Sequence, residues 1–339
     1  MFLPKKTMLS SPTTIQRWHN DDIDEQAALL SGWQQEYHQL SCGKFTGKVS
    51  LLQGPRITVA DEQANQSLFQ NVTPPEDSII FGRVLGLAGS LQVNGREVGS
   101  ESLIVLQGGR QYEFRTEGCT ELLGISMKAA QFADPRTAGL PDILRRALGQ
   151  TVLTLEQHAA AMLHQFWTTM SRLLQDDDTW PVSMPLALVS DTALGNIMLA
   201  LHLSASEIAP DPRHSAQRQA RIVQRAVGFM RTHLDKPFMM SEVCAAVHVS
   251  QRTLQYHFER HLGMAPLKYL KIMRLNAARR ELRHIARHDA GRLQPNIADI
   301  AARCGYEHAS RFAGDYRRQF GALPSETLRD AARLAAPGG

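Results

Sequence analysis

"LQYHFERHLGMAP" at residues 254–266 and "FAGDYRRQFGALP" at 312–324 are one pattern written twice, 58 positions apart. Leu254 corresponds to Phe312, Phe258 to Tyr316, Leu262 to Phe320, Gly263 to Gly321 and Pro266 to Pro324. The apolar positions recur every four residues, which is the spacing of one buried helical stripe. Generic helical periodicity does not put a glycine and a proline at one common offset. A shorter helical run precedes each copy, "SEVCAAVH" (241–248) and "IADIAARCG" (297–305), and a tight turn follows each. The chain therefore spells helix, turn, longer helix twice.

That arrangement lets the second helix of each unit enter a DNA major groove while the first braces it. In the first copy Val243, Ala246 and Val249 are placed to pack beneath Leu254 and Phe258, and Ser250 is a good N-cap. Opposite the apolar stripe stand Arg252, Gln255, Tyr256 and Glu259. Arginine suits guanine and glutamine suits adenine through paired hydrogen bonds. At the same offset the second copy has Ser310, Ala313 and Gly314, side chains too short for base contact. The first copy is expected to read bases through Arg252, Gln255 and Tyr256. Ser250, Gln251, Ser310, Arg311, Arg317 and Arg318 are expected to meet the DNA backbone. His257 and His261, four apart on the first long helix, suit packing or phosphate contact better than metal binding.

The two motifs, the intervening "APLKYLKIMRLNAARRELR" and the run "IADIAARCGYEHASRFAGDYRRQFGALPSE" resemble the DNA-binding domain of the AraC/XylS transcription regulators over about residues 218–330. The resemblance implies two helix-turn-helix motifs joined by a long helix and entering successive major grooves. It puts the family's base-reading positions on Arg252, Gln255 and Tyr256. The empty positions of the second motif depart from a strong reader.

Charge agrees with a nucleic-acid partner. From Ser215 onward there are 21 Lys+Arg against 10 Asp+Glu, whereas the remainder carries 16 against 23. The four cysteines, Cys42, Cys119, Cys244 and Cys304, form no CxxC pair, which suits a reducing cytosol. No apolar run appears long enough for a membrane span.

The fold class expected is α+β multidomain. Residues 1–135 are expected to form a β-rich, cupin-like barrel or sandwich with a sensory role, with a helix over "DEQAALLSGWQQEYHQL" (24–40) ahead of its strand pattern. Between Phe45 and Met127 short alternating runs are separated by turns, and Asn94-Gly95 is a strong hairpin cue. Residues 136–205 read as helical, a coupling segment that also suits a dimer contact. Residues 206–217, with Pro210 and Pro212, read as a linker, and 218–334 as the DNA-binding domain.

No histidine lies between Phe45 and Met127, so Glu62, Glu76, Glu97 and Glu113 lack an imidazole partner and read as exposed strand and turn residues. With no phosphate loop, GxSxG or HExxH either, the chain does not read as an enzyme. Trp33, Tyr37 and Phe45 are candidates for lining an effector pocket, with core packing as their competing role. "WQQEYHQLSCGKFTGKV" (33–49) is similar to a segment found in regulators of ethanolamine-utilisation operons. That similarity implies ethanolamine with adenosylcobalamin as effector. DNA binding itself calls for no cofactor and no metal.

The sequence thus reads as a cytoplasmic, effector-responsive activator. Its expected partners are double-stranded DNA, RNA polymerase, a small molecule and a second copy of the chain. A repressor or constitutive regulator of the same family, or a nonspecific architectural DNA-binding protein, are the alternatives.

Overall fold

The computed structural model describes residues 15–133, 140–176, 185–206, 208, 214–234, 238–288, 297–306 and 308–335. Two antiparallel sheets form the N-terminal part. In spatial order the first comprises β1 (Ile15–Asn20), β3 (Gly47–Gln53), β4 (Ile57–Ala64), β11 (Thr120–Lys128), β6 (Ser78–Leu87), β9 (Ser102–Gln107) and β12 (Val152–Thr154). The second comprises β2 (Gln34–Gln39), β5 (Leu68–Thr73), β10 (Tyr112–Thr116), β7 (Leu91–Val93) and β8 (Arg96–Glu97). Asn94 and Gly95 both take positive φ, 50° and 74°, between β7 and β8. This is the backbone a two-residue hairpin needs to match the twist of its strands.

Alternation along the strands creates two cores. Tyr37, Leu68, Val72, Ile80, Ile104 and Phe114 point between the sheets. Val59, Phe81, Val105, Leu123 and Ile125 point the other way, onto α2 (Asp142–Leu148), α3 (Gln157–Gln175) and α4 (Leu186–Leu203). Trp167 of α3 is fully buried there and donates its indole N–H to the Leu123 carbonyl at 3.1 Å.

Three expectations change here. The run 24–40 is not one helix: α1 spans only Ile23–Ala27, and β2 follows the turn at Ser31-Gly32. Leu29, Leu30, Trp33 and Tyr37 have helical spacing, yet six backbone pairings with β5 and burial on both faces of β2 favour the strand. Within the segment read as helical, Val152–Thr154 instead closes the edge of the first sheet on β9. Finally, Leu186–Leu203 is, by length and a mean hydropathy of 1.5, long and apolar enough to cross a membrane. Its inward face, Val189, Ala193, Ile197 and Leu201, sits in the first core. Half of the 206–217 segment, including Pro210 and Pro212, lies outside the described residues, and its end, from His214, belongs to a helix.

The C-terminal part is helical: α5 (His214–Thr232), α6 (Met240–Val247), α7 (Gln251–Leu262), α8 (Pro266–His288), α9 (Ile297–Arg303), α10 (Ala309–Phe320) and α11 (Pro324–Ala335). The repeated glycine and proline now have reasons. Gly263 and Gly321 end α7 and α10 in the left-handed conformation, at φ 62° and 74°. Pro266 and Pro324 open α8 and α11, where a missing N–H costs nothing. Helix α8 shares one core with α5–α7 through Tyr269, Leu270 and Met273, and a second with α9–α11 through Leu275, Ala278 and Leu282.

Candidate nucleic-acid interface and inter-sheet cavity

Helix α7 buries Leu254, His257, Phe258 and Leu262, with Val243 and Val247 of α6 beneath them. Val247 takes the inward place expected of Ala246, which is half-buried. The Ser250 side chain caps α7, accepting from Thr253 N–H at 3.1 Å. Gln251, Arg252, Gln255, Tyr256 and Glu259 are all exposed, Tyr256 to 54%. Gln255 donates to Glu259 at 2.9 Å, and Arg260 donates to the Tyr256 hydroxyl at 3.1 Å, so the face is tied along the helix. Burial holds the His257 and His261 imidazoles below their usual range, so they stay neutral within the packing.

Helix α10 presents Ser310, Arg311, Gly314, Arg317 and Arg318 to solvent while Phe312, Tyr316 and Phe320 are buried. Nothing lies within 4 Å of where a Gly314 Cβ would be. Asp315 draws in Lys271 at 2.7 Å and Arg318 at 3.6 Å. Helix α8 has 23 residues and spans about 34 Å, close to one turn of duplex.

The other side of this domain is fastened to the second sheet. Asp22, fully buried, binds Arg279 at 2.8 Å and Arg283 at 2.9 Å, while its other oxygen caps α1. Arg280 reaches Asp24 at 3.1 Å, Glu36 at 3.0 Å and the Tyr37 carbonyl at 2.9 Å. Arg280 also donates to His38 Nδ1 at 3.1 Å, which leaves the neutral ring's proton on Nε2, towards Glu36. Burial, with Arg280 beside it, pushes His38 down to about 3. Arg231 pairs with Glu36 as well.

Main-chain atoms are gripped too. Asn276 accepts from Gln39 N–H at 3.1 Å and donates to its carbonyl at 3.2 Å, and Gln319 donates to the same carbonyl at 2.9 Å. Leu40 and Phe69 enter the core of the first motif. Both long motif helices rest their C-terminal ends on this sheet. Arg115 lies against Gly263, and Gly43 donates to the Gln319 carbonyl beside Gly321, which abuts Lys44.

Two glutamates depart from expectation. Glu76 and Glu97 are exposed, but Glu62 is half-buried between the sheets and Glu113 is half-buried at the domain junction. Gln224 donates to Glu113 at 3.3 Å, and burial pushes its carboxyl up to about 7. The folded chain thus holds this proton more tightly than the unfolded chain, and the associated stability is lost as pH rises through about 7. Glu113→Gln removes that loss. Urea unfolding at pH 5 should find variant and wild type alike, and at pH 8 the variant ahead by on the order of 1–2 kcal/mol.

Between the sheets lies a cavity of about 70 Å³. Gln26, Gln35, Tyr37, Glu62 and Gln70 give it polar groups, and Trp33, Val72, Ile104 and Phe114 are among its apolar walls. Tyr37 and Trp33 reach it; Phe45 does not, being buried in the core beside Gly47. Glu62 accepts from Gln26 at 2.8 Å and from the Tyr37 hydroxyl at 3.2 Å. This volume suits a small molecule and does not hold a group the size of adenosylcobalamin.

A family model described as "Helix-turn-helix domain" matches residues 243–330. The chain is similar to the probable thc operon regulatory protein of Rhodococcus erythropolis, 32% identical over 165 residues, 48% of each chain. It is also similar to the XylDLEGF operon transcriptional activator of Pseudomonas putida, 32% identical over 113 residues, 33% of this chain and 34% of that one. The matches therefore span about half the length of these relatives or less. Among solved structures, a transcriptional regulator with an AraC-type DNA-binding domain from Chromobacterium violaceum is 29% identical. It covers 35% of this chain and 96% of its own, with a TM-score of 0.30.

Proposed function

We propose that this chain, whose C-terminal helix-turn-helix domain is similar to that of AraC/XylS DNA-binding transcription regulators, is an effector-responsive operon activator whose first motif reads bases. The observation that carries this reading is the pair of outward helices, α7 and α10, on one 23-residue helix. Arg252, Gln255 and Tyr256 supply base contacts. Ser250, Gln251, Ser310, Arg311, Arg317 and Arg318 hold the DNA backbone.

An effector between the sheets acts through β2, whose successive residues face opposite ways. Tyr37 lines the cavity while Glu36 and His38 meet Arg280 and Arg231. Because both reading helices rest on that sheet, a shift of β2 changes their relative pose. The effector must bind two such poses unequally to move their balance. Mapping the DNA sites occupied in cells tests the reading and names the operon, ethanolamine utilisation among the candidates. Absence of any sequence-enriched site would reject it.

The second copy of the chain is the partner we assign to α4. Its outward stripe, Leu188, Thr192, Gly195, Leu199 and Leu203, carries no charge, and its three leucines are 49–58% exposed. A self-complementary stripe of this kind suits a two-fold pairing of identical helices. Leu199→Glu should halve the mass seen in sedimentation while the far-ultraviolet spectrum stays unchanged. A wild-type chain that sediments as a monomer at micromolar concentration overturns this assignment.

A further inference from the structure

We propose that the cavity between the sheets takes a compact organic amine, with the ligand ammonium on Glu62 and its carbon skeleton against Trp33, Val72, Ile104 and Phe114. The inference rests on the effector reading above and names the chemistry of that site.

Three features of the cavity point the same way. First, the lining contains one carboxyl group, Glu62, and no lysine, arginine or histidine. A carboxylate or phosphate ligand would bring a second acidic group beside Glu62 without a cation, which a buried site does not tolerate. Second, the remaining polar partners, Tyr37, Gln26, Gln35 and Gln70, are neutral groups that serve an ammonium or a hydroxyl without adding charge. Third, Trp33, Tyr37 and Phe114 supply aromatic rings to the lining, and aromatic rings favour a cation desolvated among them.

Among the described residues no cation pairs with Glu62. Burial raises its pKa, and its two donors, Gln26 and Tyr37, restrain that rise without cancelling it. An entering ammonium supplies the missing positive charge. The volume of about 70 Å³ limits the ligand to a few heavy atoms unless the walls give way.

The position also gives the ligand leverage. Gln26, which holds Glu62, belongs to the same short helix α1 as Asp24 and Glu25, and Asp22 caps that helix. Those three acids pair with Arg279, Arg280 and Arg283. Ligand contact with Glu62 is thus one side chain removed from the domain junction.

The test uses three probes with one carbon skeleton and different charge: propylamine, 1-propanol and propionate, each added to the full chain without DNA. Propylamine should raise the unfolding midpoint by about 2–4 °C when saturating, with little from 1-propanol and nothing from propionate. Glu62→Gln, close in shape to the protonated side chain, should abolish the amine shift. Equal shifts from propylamine and 1-propanol, or an unchanged response in Glu62→Gln, overturn the proposal.

Should Glu62→Gln fail to fold, calorimetry of propylamine and of 1-propanol binding to the wild type decides. Heat from propylamine with little from 1-propanol supports the ammonium contact, and no heat from propylamine or equal heats from the two overturn it. Sequence-specific DNA binding is measured on the same preparations. No amine response in the wild type with intact sequence-specific binding refutes only this proposal, whereas lack of specific binding refutes the regulator reading.

Discussion

Asp22→Ala should destabilise the chain by about 3–5 kcal/mol, the cost of removing one member of a buried ion cluster. Asp22 is fully buried and holds two arginines that are themselves nearly buried, so its loss leaves Arg279 and Arg283 without that counter-charge. Arg283 keeps Glu25, and Arg279 keeps the Phe320 ring at 5.2 Å, which sets the loss short of complete collapse. The α1 cap disappears too, which adds about 1 kcal/mol. Urea unfolding measures the sum. A loss below about 1 kcal/mol would mean that water replaces the carboxylate and that the junction is wetter than described.

The companion variant separates charge from packing. Asp22→Ala with Arg279→Met and Arg283→Met removes all three charges and keeps most of the volume, so it should recover much of the lost stability. Recovery would show that the cluster serves the fit of the two domains more than their stability.

Arg252→Ala should reduce discrimination between a cognate site and a scrambled one by about 1–3 kcal/mol, the worth of one paired base contact. Arg311→Ala should instead weaken both sites together and lower the salt dependence of binding by roughly one unit of log–log slope. The contrast follows from the two faces: long side chains stand at Arg252, Gln255 and Tyr256, whereas α10 has Ser310, Ala313 and bare Gly314. Competition binding across a salt series separates these outcomes. Equal loss of discrimination from the two changes would sink the division of labour between the motifs.

The C-terminal half was legible because its signals are local. A left-handed glycine and a helix-opening proline are demanded by the backbone itself, and they recur 58 residues apart. Residues 24–40 misled for the opposite reason. Their helical spacing is real, but β5 and the α8 arginines, which decide the matter, stand far away in sequence. Trp33 and Tyr37 could be picked as cavity residues by their size and polarity; Phe45 met the same criteria and went to the core. Glu62 was passed over because alternation in β4 does not tell which face holds a cavity. The junction was invisible from one chain, since Asp22 and Arg279 lie 257 positions apart.

The grip of Asn276 and Gln319 on Gln39 bears on how such regulators can exchange parts. Amides that hold the peptide group of a strand are indifferent to which side chain that residue carries, so the joint survives drift in composition. They are strict about register, because a one-residue slip turns the gripped carbonyl away. A hybrid that takes its sensor from one relative and its reader from another, joined only at the covalent linker, must also match strand phase at this second joint. Carrying the segment from Asp22 to Gly43 along with the reader preserves the fit, which makes that segment the working boundary for recombining new inputs with old operators.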